Sequence, residues 1–211
     1  MLTLSSRNFM YDRREAPAAR RNASAILDVL RRILPESGTV LEIGSGTGQH
    51  AAAFASALTP RRWLPSDPDP DQRASIASWI AEIEGVAPLP PRDINAASAD
   101  WDVRPEDGIS AIVTVNVLHI SPWAVCQGLV AGAGRLLPTG GVLYLYGPFK
   151  RASQHTAPSN AVFDATLQAR NPEWGIRNLE DIAALGEVAG LILDPVIDMP
   201  SNNFSLVFRR L

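Results

Sequence analysis

One stretch constrains this chain more than any other: a short apolar run that opens into glycine. In "VLEIGSGTGQH", residues 40–50, Gly44, Gly46 and Gly48 stand at alternate positions directly behind Val40, Leu41 and Ile43. Glycine lets backbone approach a ligand where any Cβ would clash. "TVLEIG" reads as a buried strand, and "QHAAAFASAL" as a helix that starts at the loop. A strand opening through such a loop into a helix is a nucleotide-cofactor geometry, and in doubly wound sheets ligands settle at the carboxyl ends of strands. Gln49 occupies the place where the dinucleotide fingerprint G-x-G-x-x-G has its third glycine. Glu42 puts a carboxylate on the strand just before the loop. An anionic pyrophosphate gains little from it, whereas a ligand carrying an ammonium and a sulfonium gains more. Asp67 follows the loop at about 20 residues, the interval of an acid that accepts hydrogen bonds from ribose hydroxyls.

The rest of the chain alternates strands with helices. "NASAILDVLRRIL" has helical spacing, with Asn22 or Ser24 as its cap and residues 35–38 ending it. "RRWLPSD" reads as a second strand, shortened by Pro65, and "DQRASIASWIAEI" as a helix. Further strands are expected around Leu89, at "GISAIVTVNVL" and at "GGVLYLYGPF", with the helix "AVCQGLVAGAGRLL" between the last two. A polar stretch from Lys150 to Asn178 is too long for a plain connection. The helix "LEDIAALGEVAG" and the strand "NFSLVFRRL" close the chain. This order predicts an α/β fold, a mainly parallel sheet with helices on both faces. Residues 1–211 read as one domain, with a long insertion at about 150–178 and no internal repeat.

Composition narrows the partners. With 46% hydrophobic and 19% charged residues and a formal charge of -3, the chain has no general electrostatic pull toward nucleic acid or anionic membrane. Neither partner is expected, although arginines cluster near the N-terminus. Cys126 is the lone cysteine, so no intrachain disulfide can form. No His, Asp and Glu cluster at ligand spacing, so no metal is expected. "MLTLSSRNFMYDRRE" lacks the sustained apolar core of a secretory signal, and no window approaches the roughly 20 apolar residues of a membrane span. The expected location is the cytoplasm; the oligomeric state is left open.

These features resemble class I S-adenosylmethionine-dependent methyltransferases, whose first motif is an acidic residue followed by G-x-G-x-G. The words "RRN", "SGTGQH", "PSD", "HISPW", "YGPF", "PEWGIR" and "MPSNN" together resemble a small uncharacterised family of methyltransferase-like proteins. The resemblance implies a doubly wound, Rossmann-like methyltransferase fold: a mainly parallel seven-stranded sheet with a reversed last strand. It implies S-adenosylmethionine as cofactor, with Glu42, Gly44, Ser45, Gly46 and Gly48 lining its methionine end and Asp67 holding the ribose. Asp93 in "PPRDIN" would stand near the adenine amino group, and Asn116 in "VNVLHI" would flank the methionine moiety. The implied reaction is in-line methyl transfer to a small-molecule acceptor. A nicotinamide-dependent oxidoreductase and a non-catalytic cofactor-binding module are the alternatives.

Several residues remain for the acceptor side. His119 is the candidate general base, since imidazole titrates in the useful range; the alternative is a histidine bonded to backbone in the "HISPW" loop. Tyr146, Phe149, Trp123 and Trp174 are candidates for an aromatic pocket holding an apolar or cationic acceptor. Arg21 and Asn22 are expected to close over the cofactor, with helix capping by Asn22 as the alternative. His50 either touches the cofactor or caps the turn, and His155 is expected to be solvated. Asn160, Asp164 and Arg177 would recognise a polar substrate or lock a lid, unless Arg177 pairs with Asp164. Asn202 and Asn203 are expected to satisfy turn backbone.

Overall fold

Four apolar runs form the parallel centre of one sheet: β1 (Thr39–Ile43), β2 (Arg62–Ser66), β3 (Ile109–Val115) and β4 (Val142–Gly147). They are almost continuously buried, as strands covered on both faces must be. A computed structural model describes residues 13–211; residues 1–12, which carry most of the segment read above for a secretory signal, lie outside them. Among the described residues the sheet has six strands in the order β2-β1-β3-β4-β8-β7, with β8 (Asn203–Arg210) beside β4 and β7 (Leu191–Met199) at the edge. The last strand, β8, runs antiparallel between β4 and β7. Helices α1 (Pro17–Ile33) and α2 (Gln49–Ala57) supply Ile26, Leu30 and Phe54 to one core, against Val40, Trp63 and Tyr144 of the sheet. On the other face, α4 (Trp123–Leu136) and α6 (Leu179–Val188) bury Leu129 and Ile182 against Leu41, Ile112 and Leu143. Alternate residues of β1 thus serve opposite cores, the period-two signature of a strand. This is the doubly wound α/β fold with a reversed last strand, built with six strands where seven were expected.

The strand expected around Leu89 is not one. Leu89 donates to the Trp63 carbonyl at 2.7 Å and Arg92 to that of Pro65 at 3.0 Å, but only Ser66 and Arg92 form a bridge. Pro88, Pro90 and Pro91 remove the amide hydrogens that a ladder needs. Conversely β7 is a strand despite Pro195, because an edge position tolerates proline; its register slips between Leu193 and Val196. Helix α1 starts five residues before Asn22, with Pro17 in its first turn, where a missing N–H costs nothing. Asn22 is therefore no cap. The insertion is pinned at its base by two short parallel strands, β5 (Phe149–Lys150) and β6 (Arg177–Asn178), and contains the helix α5 (Pro158–Arg170).

The sheet order reverses at β1, since β2 lies on one side of it and β3 on the other. Ligands of open α/β sheets bind at such a switch point, outside the carboxyl ends of the strands. The glycine loop and the turn containing His119 both leave the sheet there.

The reversed strand is tied to its parallel neighbour by a fully buried pair, the Tyr144 hydroxyl and Ser205 Oγ at 2.7 Å. Ser205→Ala leaves that hydroxyl without its partner, an expected loss of about 1–3 kcal/mol in urea unfolding. Adding Tyr144→Phe should recover part of the loss, giving a non-additive double mutant.

Candidate functional site

All three loop glycines have positive φ: +68° at Gly44, +54° at Gly46 and +92° at Gly48. A Cβ on Gly44 would meet Val117 Cγ2 at 2.6 Å, and one on Gly48 would meet the Ile76 Cα at 2.8 Å. Those two positions are glycine because the protein's own chain passes close by. At Gly46 nothing lies within 4 Å. There the positive φ alone calls for glycine, and the loop is open on that side.

The loop is held from β2. Gly46 donates its N–H to Asp67 Oδ2 at 2.9 Å, Asp69 donates to Asp67 Oδ1 at 3.0 Å, and Ser45 donates to the Ser66 carbonyl at 2.8 Å. Glu42 Oε2 accepts from Ser45 Oγ at 2.9 Å and from the Trp63 indole at 3.0 Å. Burial lifts the Glu42 carboxyl to about 7; the Trp63 and Ser45 hydrogen bonds oppose that shift and the nearby Asp67 adds to it. Asp67 is also raised, again chiefly by burial. Asp93 stands at the solvent rim, its side chain 67% exposed and paired with Arg73 at 3.1 Å. Arg73 in turn donates to the carbonyls of Asp67 and Pro68, each at 2.8 Å.

A cleft of about 580 Å³ opens beside this loop. Its floor is Asn116 and Tyr146; α1 forms one wall, and α5 with the turn at residues 200–203 forms the other. Val117, against which Gly44 packs, joins the loop to the floor. Asn116 has φ +61° and donates its N–H to the Tyr146 carbonyl at 2.9 Å, so the ends of β3 and β4 are fastened together. Tyr146 is buried, which raises its pKa, while the Asn22 and Asn203 side chains beside its hydroxyl act in the opposite direction.

His119 lines the cleft and is buried, with its ring set edge-on to Phe163 at 5.5 Å. Burial, helped by the Arg177 charge, lowers its pKa to about 4, so the imidazole is neutral at physiological pH. Its ring nitrogens have no hydrogen-bond partner among the described residues. The backbone anchor weighed against catalysis exists, but it belongs to the main chain: Gly175 donates to the His119 carbonyl at 3.0 Å. Arg177 fixes the same turn, donating to the carbonyls of Leu118 at 3.0 Å, of Ser121, and of Glu173 at 2.7 Å.

Other expectations meet corrections. Arg177 spends its hydrogen bonds on those carbonyls, while the buried Asp164 is paired with Lys150 at 2.8 Å and His155 at 3.2 Å and accepts from the Ile176 N–H at 2.7 Å. His155 is thus partly buried with its Nε2 against the Asp164 carboxylate, not free in solvent. His50 is buried and stacked on Phe54, and its Nε2 lies 2.8 Å from Asn22 Oδ1. An amide oxygen only accepts, so the imidazole nitrogen donates. Of the four aromatic residues expected around the acceptor, only Tyr146 lines the cleft. Phe149 is in the core, and Trp123 and Trp174 lie against Arg177 and Arg170 at 5.7 and 5.6 Å. Phe163 and Ile120, which the sequence did not single out, line it instead and are 40% and 44% exposed. Arg21 also lines the cleft. Among the described residues no group of three or more His, Cys, Asp or Glu could hold a metal ion, and no helix is long and apolar enough to cross a membrane.

Residues 13–210 match a family described as "Protein of unknown function (DUF938)". The fold is shared with solved methyltransferases of low identity. An O-methyltransferase family protein from Burkholderia thailandensis is 18% identical with a TM-score of 0.71, covering 92% of this chain and 57% of its own. Human N-acetylserotonin methyltransferase in complex with SAM is 14% identical with a TM-score of 0.72, over 92% and 52%. An O-methyltransferase family 2 protein from Planctomyces limnophilus in complex with apigenin is 19% identical with a TM-score of 0.71, over 92% and 60%. The chain therefore spans a little over half the length of these proteins.

The buried Glu42 makes a pH prediction. A folded-state pKa of about 7 against an ordinary 4.5 stabilises the fold fully below about pH 4.5, and this contribution is lost as pH rises through 7. Glu42→Gln keeps an acceptor for Ser45 and Trp63 and cannot ionise. It should exceed the wild type in stability by up to about 3 kcal/mol near pH 8.5, with the gap closing toward pH 4.5 in denaturant titrations.

Proposed function

The chain belongs to the DUF938 family, and we propose that it is an S-adenosylmethionine-dependent methyltransferase acting on a small molecule. The observation that carries this reading is Gly46. Its φ is +54°, its Cβ side is open, and its N–H is held by the Asp67 carboxylate at the switch point of the sheet, next to the cleft. A cofactor with a ribose fits that arrangement, because a carboxylate accepting two backbone N–H groups still has lone pairs for hydroxyls. The SAM bound by the human neighbour and the apigenin bound by the Planctomyces limnophilus protein support the same class.

In this reading Gly44, Ser45, Gly46 and Gly48 hold the methionine side, with Glu42 beneath them and Asn116 beside it. Asp67 takes the ribose, and Asp93 stands at the adenine rim through Arg73. When bound, S-adenosylmethionine supplies an electrophilic methyl on a sulfonium: the acceptor's lone pair forms the new bond, the carbon–sulfur bond breaks, and its electron pair stays on sulfur. The protein aligns the acceptor for in-line attack and excludes water. His119 accepts the acceptor's proton at a ring nitrogen. A pKa near 4 makes it a weak base, but an oxygen that is gaining a methyl group becomes strongly acidic, so a neutral imidazole suffices. Tyr146, with its pKa raised, stays protonated and orients the acceptor through its hydroxyl.

Calorimetry with S-adenosylhomocysteine, using NAD as the matched control, tests the reading. We expect micromolar binding of the first and none of the second, with Gly46→Val abolishing it and Asp67→Asn weakening it about tenfold. NAD binding in place of S-adenosylhomocysteine points to an oxidoreductase, and binding of neither overturns the assignment. With an acceptor found by labelled-donor screening, His119→Asn should lower kcat by about a hundredfold or more with little change in cofactor affinity. Retained turnover in that variant removes His119 as the base.

A further inference from the structure

The charge around the cleft is one-sided. Arg21 is the sole ionic side chain among the described residues lining it, since His119 is neutral and no carboxylate takes part. Its neighbours are neutralised: Arg13 pairs with Glu82, Arg14 with Asp71 at 3.1 Å and Arg20 with Glu15 at 2.6 Å. The Arg21 side chain has no ion pair or hydrogen bond among the described residues. A guanidinium left free beside an apolar wall favours a planar anion that it can bind through two parallel hydrogen bonds.

The opposite wall presents Phe163 and Ile120, partly exposed apolar surface of a size to cover an aromatic ring. Asn160 and Asn203 give their amide hydrogens to the wall itself, to the carbonyls of Asn202 at 3.0 Å and of Pro200 at 3.1 Å. Asn160, whose amide also reaches Thr156 Oγ1 at 3.3 Å, is left with its carbonyl oxygen, an acceptor for a hydroxyl, while Asn203 stands beside the Tyr146 hydroxyl. A cationic acceptor would meet the Arg21 charge with no carboxylate to offset it. That argues against the cationic half of the expectation drawn from the aromatic residues.

We propose that the methyl acceptor is an aromatic hydroxy acid, with its carboxylate on Arg21 and its ring against Phe163 and Ile120. This rests on reading the cleft as the acceptor site. A carboxylate also occurs at the amino-acid end of the cofactor, but Arg21 shares its cavity with α5 and the turn at 200–203. Of the residues given to the cofactor above, Asn116 reaches that cavity, whereas Gly44, Gly46, Gly48 and Asp67 do not line it.

The test is calorimetry on full-length protein saturated with S-adenosylhomocysteine, comparing salicylate with salicylamide and para-hydroxybenzoate with para-hydroxybenzamide. At least one acid should bind about tenfold more tightly than its amide, the scale of one charge-assisted interaction. Arg21→Gln, on an exposed helix face, should abolish that preference and leave S-adenosylhomocysteine affinity unchanged. Equal binding of acids and amides, or binding of neither by the loaded protein, overturns the proposal. If Arg21→Gln weakens S-adenosylhomocysteine but not methylthioadenosine, which lacks the amino-acid end, Arg21 serves the cofactor; the acceptor proposal then falls and the methyltransferase reading stands. Failure of S-adenosylhomocysteine to bind the wild type removes that reading and this proposal with it.

Discussion

The carboxylate of Asp67, accepting the N–H groups of Gly46 and Asp69, is the contact on which the rest of the site depends. A loop with three residues of positive φ in five turns its amides out of any regular ladder, and buried amides without acceptors are costly. The end of β2 supplies those acceptors: Asp67 for Gly46, the Ser66 carbonyl for Ser45. Ser66 returns the connection, donating its N–H to Ser45 Oγ at 3.1 Å and its hydroxyl to the Glu42 carbonyl at 2.7 Å. The knot buries two acids, and burial is the main reason that both are raised in pKa, with Asp67 adding to the shift of Glu42. A bound cation would lower the cost of ionising them, so the loop's own architecture favours a positively charged ligand.

The far wall of the cleft depends on a third buried acid, Asp164. Helix α5 turns Asn160, Asp164 and Leu167 inward and leaves Val162 69% and Phe163 40% exposed, the reverse of an ordinary amphipathic helix. Asp164 makes that inversion stable by gathering Lys150, His155 and the Ile176 N–H around one carboxylate. The Ile176 contact fixes the segment next to Arg177, and Arg177 in turn fixes the His119 turn. The insertion is thus part of the site, since it sets both the Phe163 wall and the placement of the imidazole.

What the sequence disclosed follows from this division. The glycine loop, Asp67, Asn116, His119 and Tyr146 stand at the ends of apolar runs, and such runs announce both a strand and the place where it stops. Helix α5 reads in the sequence only as a polar stretch because two of the three residues it buries, Asn160 and Asp164, are polar, which leaves hydrophobic periodicity little to report. Strand β7 was hidden by Asp194, Pro195 and Asp198, residues that an exposed edge accepts and a central strand does not. Residues near Leu89 gave the opposite error: their apolar character is genuine, and their prolines prevent the ladder. Phe163 and Ile120 carried no signal, because an exposed apolar residue becomes meaningful only when folding sets it beside a cavity.

The residue that breaks the dinucleotide fingerprint has a structural task of its own. Gln49 Oε1 accepts from the Ala16 N–H and from Thr47 Oγ1 at 3.1 Å, which anchors the start of α1 to the glycine loop. The next residue, His50, holds Asn22 one and a half turns further along the same helix. Two consecutive side chains at the start of α2 therefore set the position of the helix that carries Arg21 and Asn22 into the cleft. A glycine at position 49 could not make the first contact. The side-chain tie from α2 to α1 would then rest on His50, whose neutral, buried imidazole donates to Asn22, beside the packing of Ile26 and Leu30 against Phe54. The same residue that departs from the dinucleotide fingerprint also couples the loop to the cleft wall.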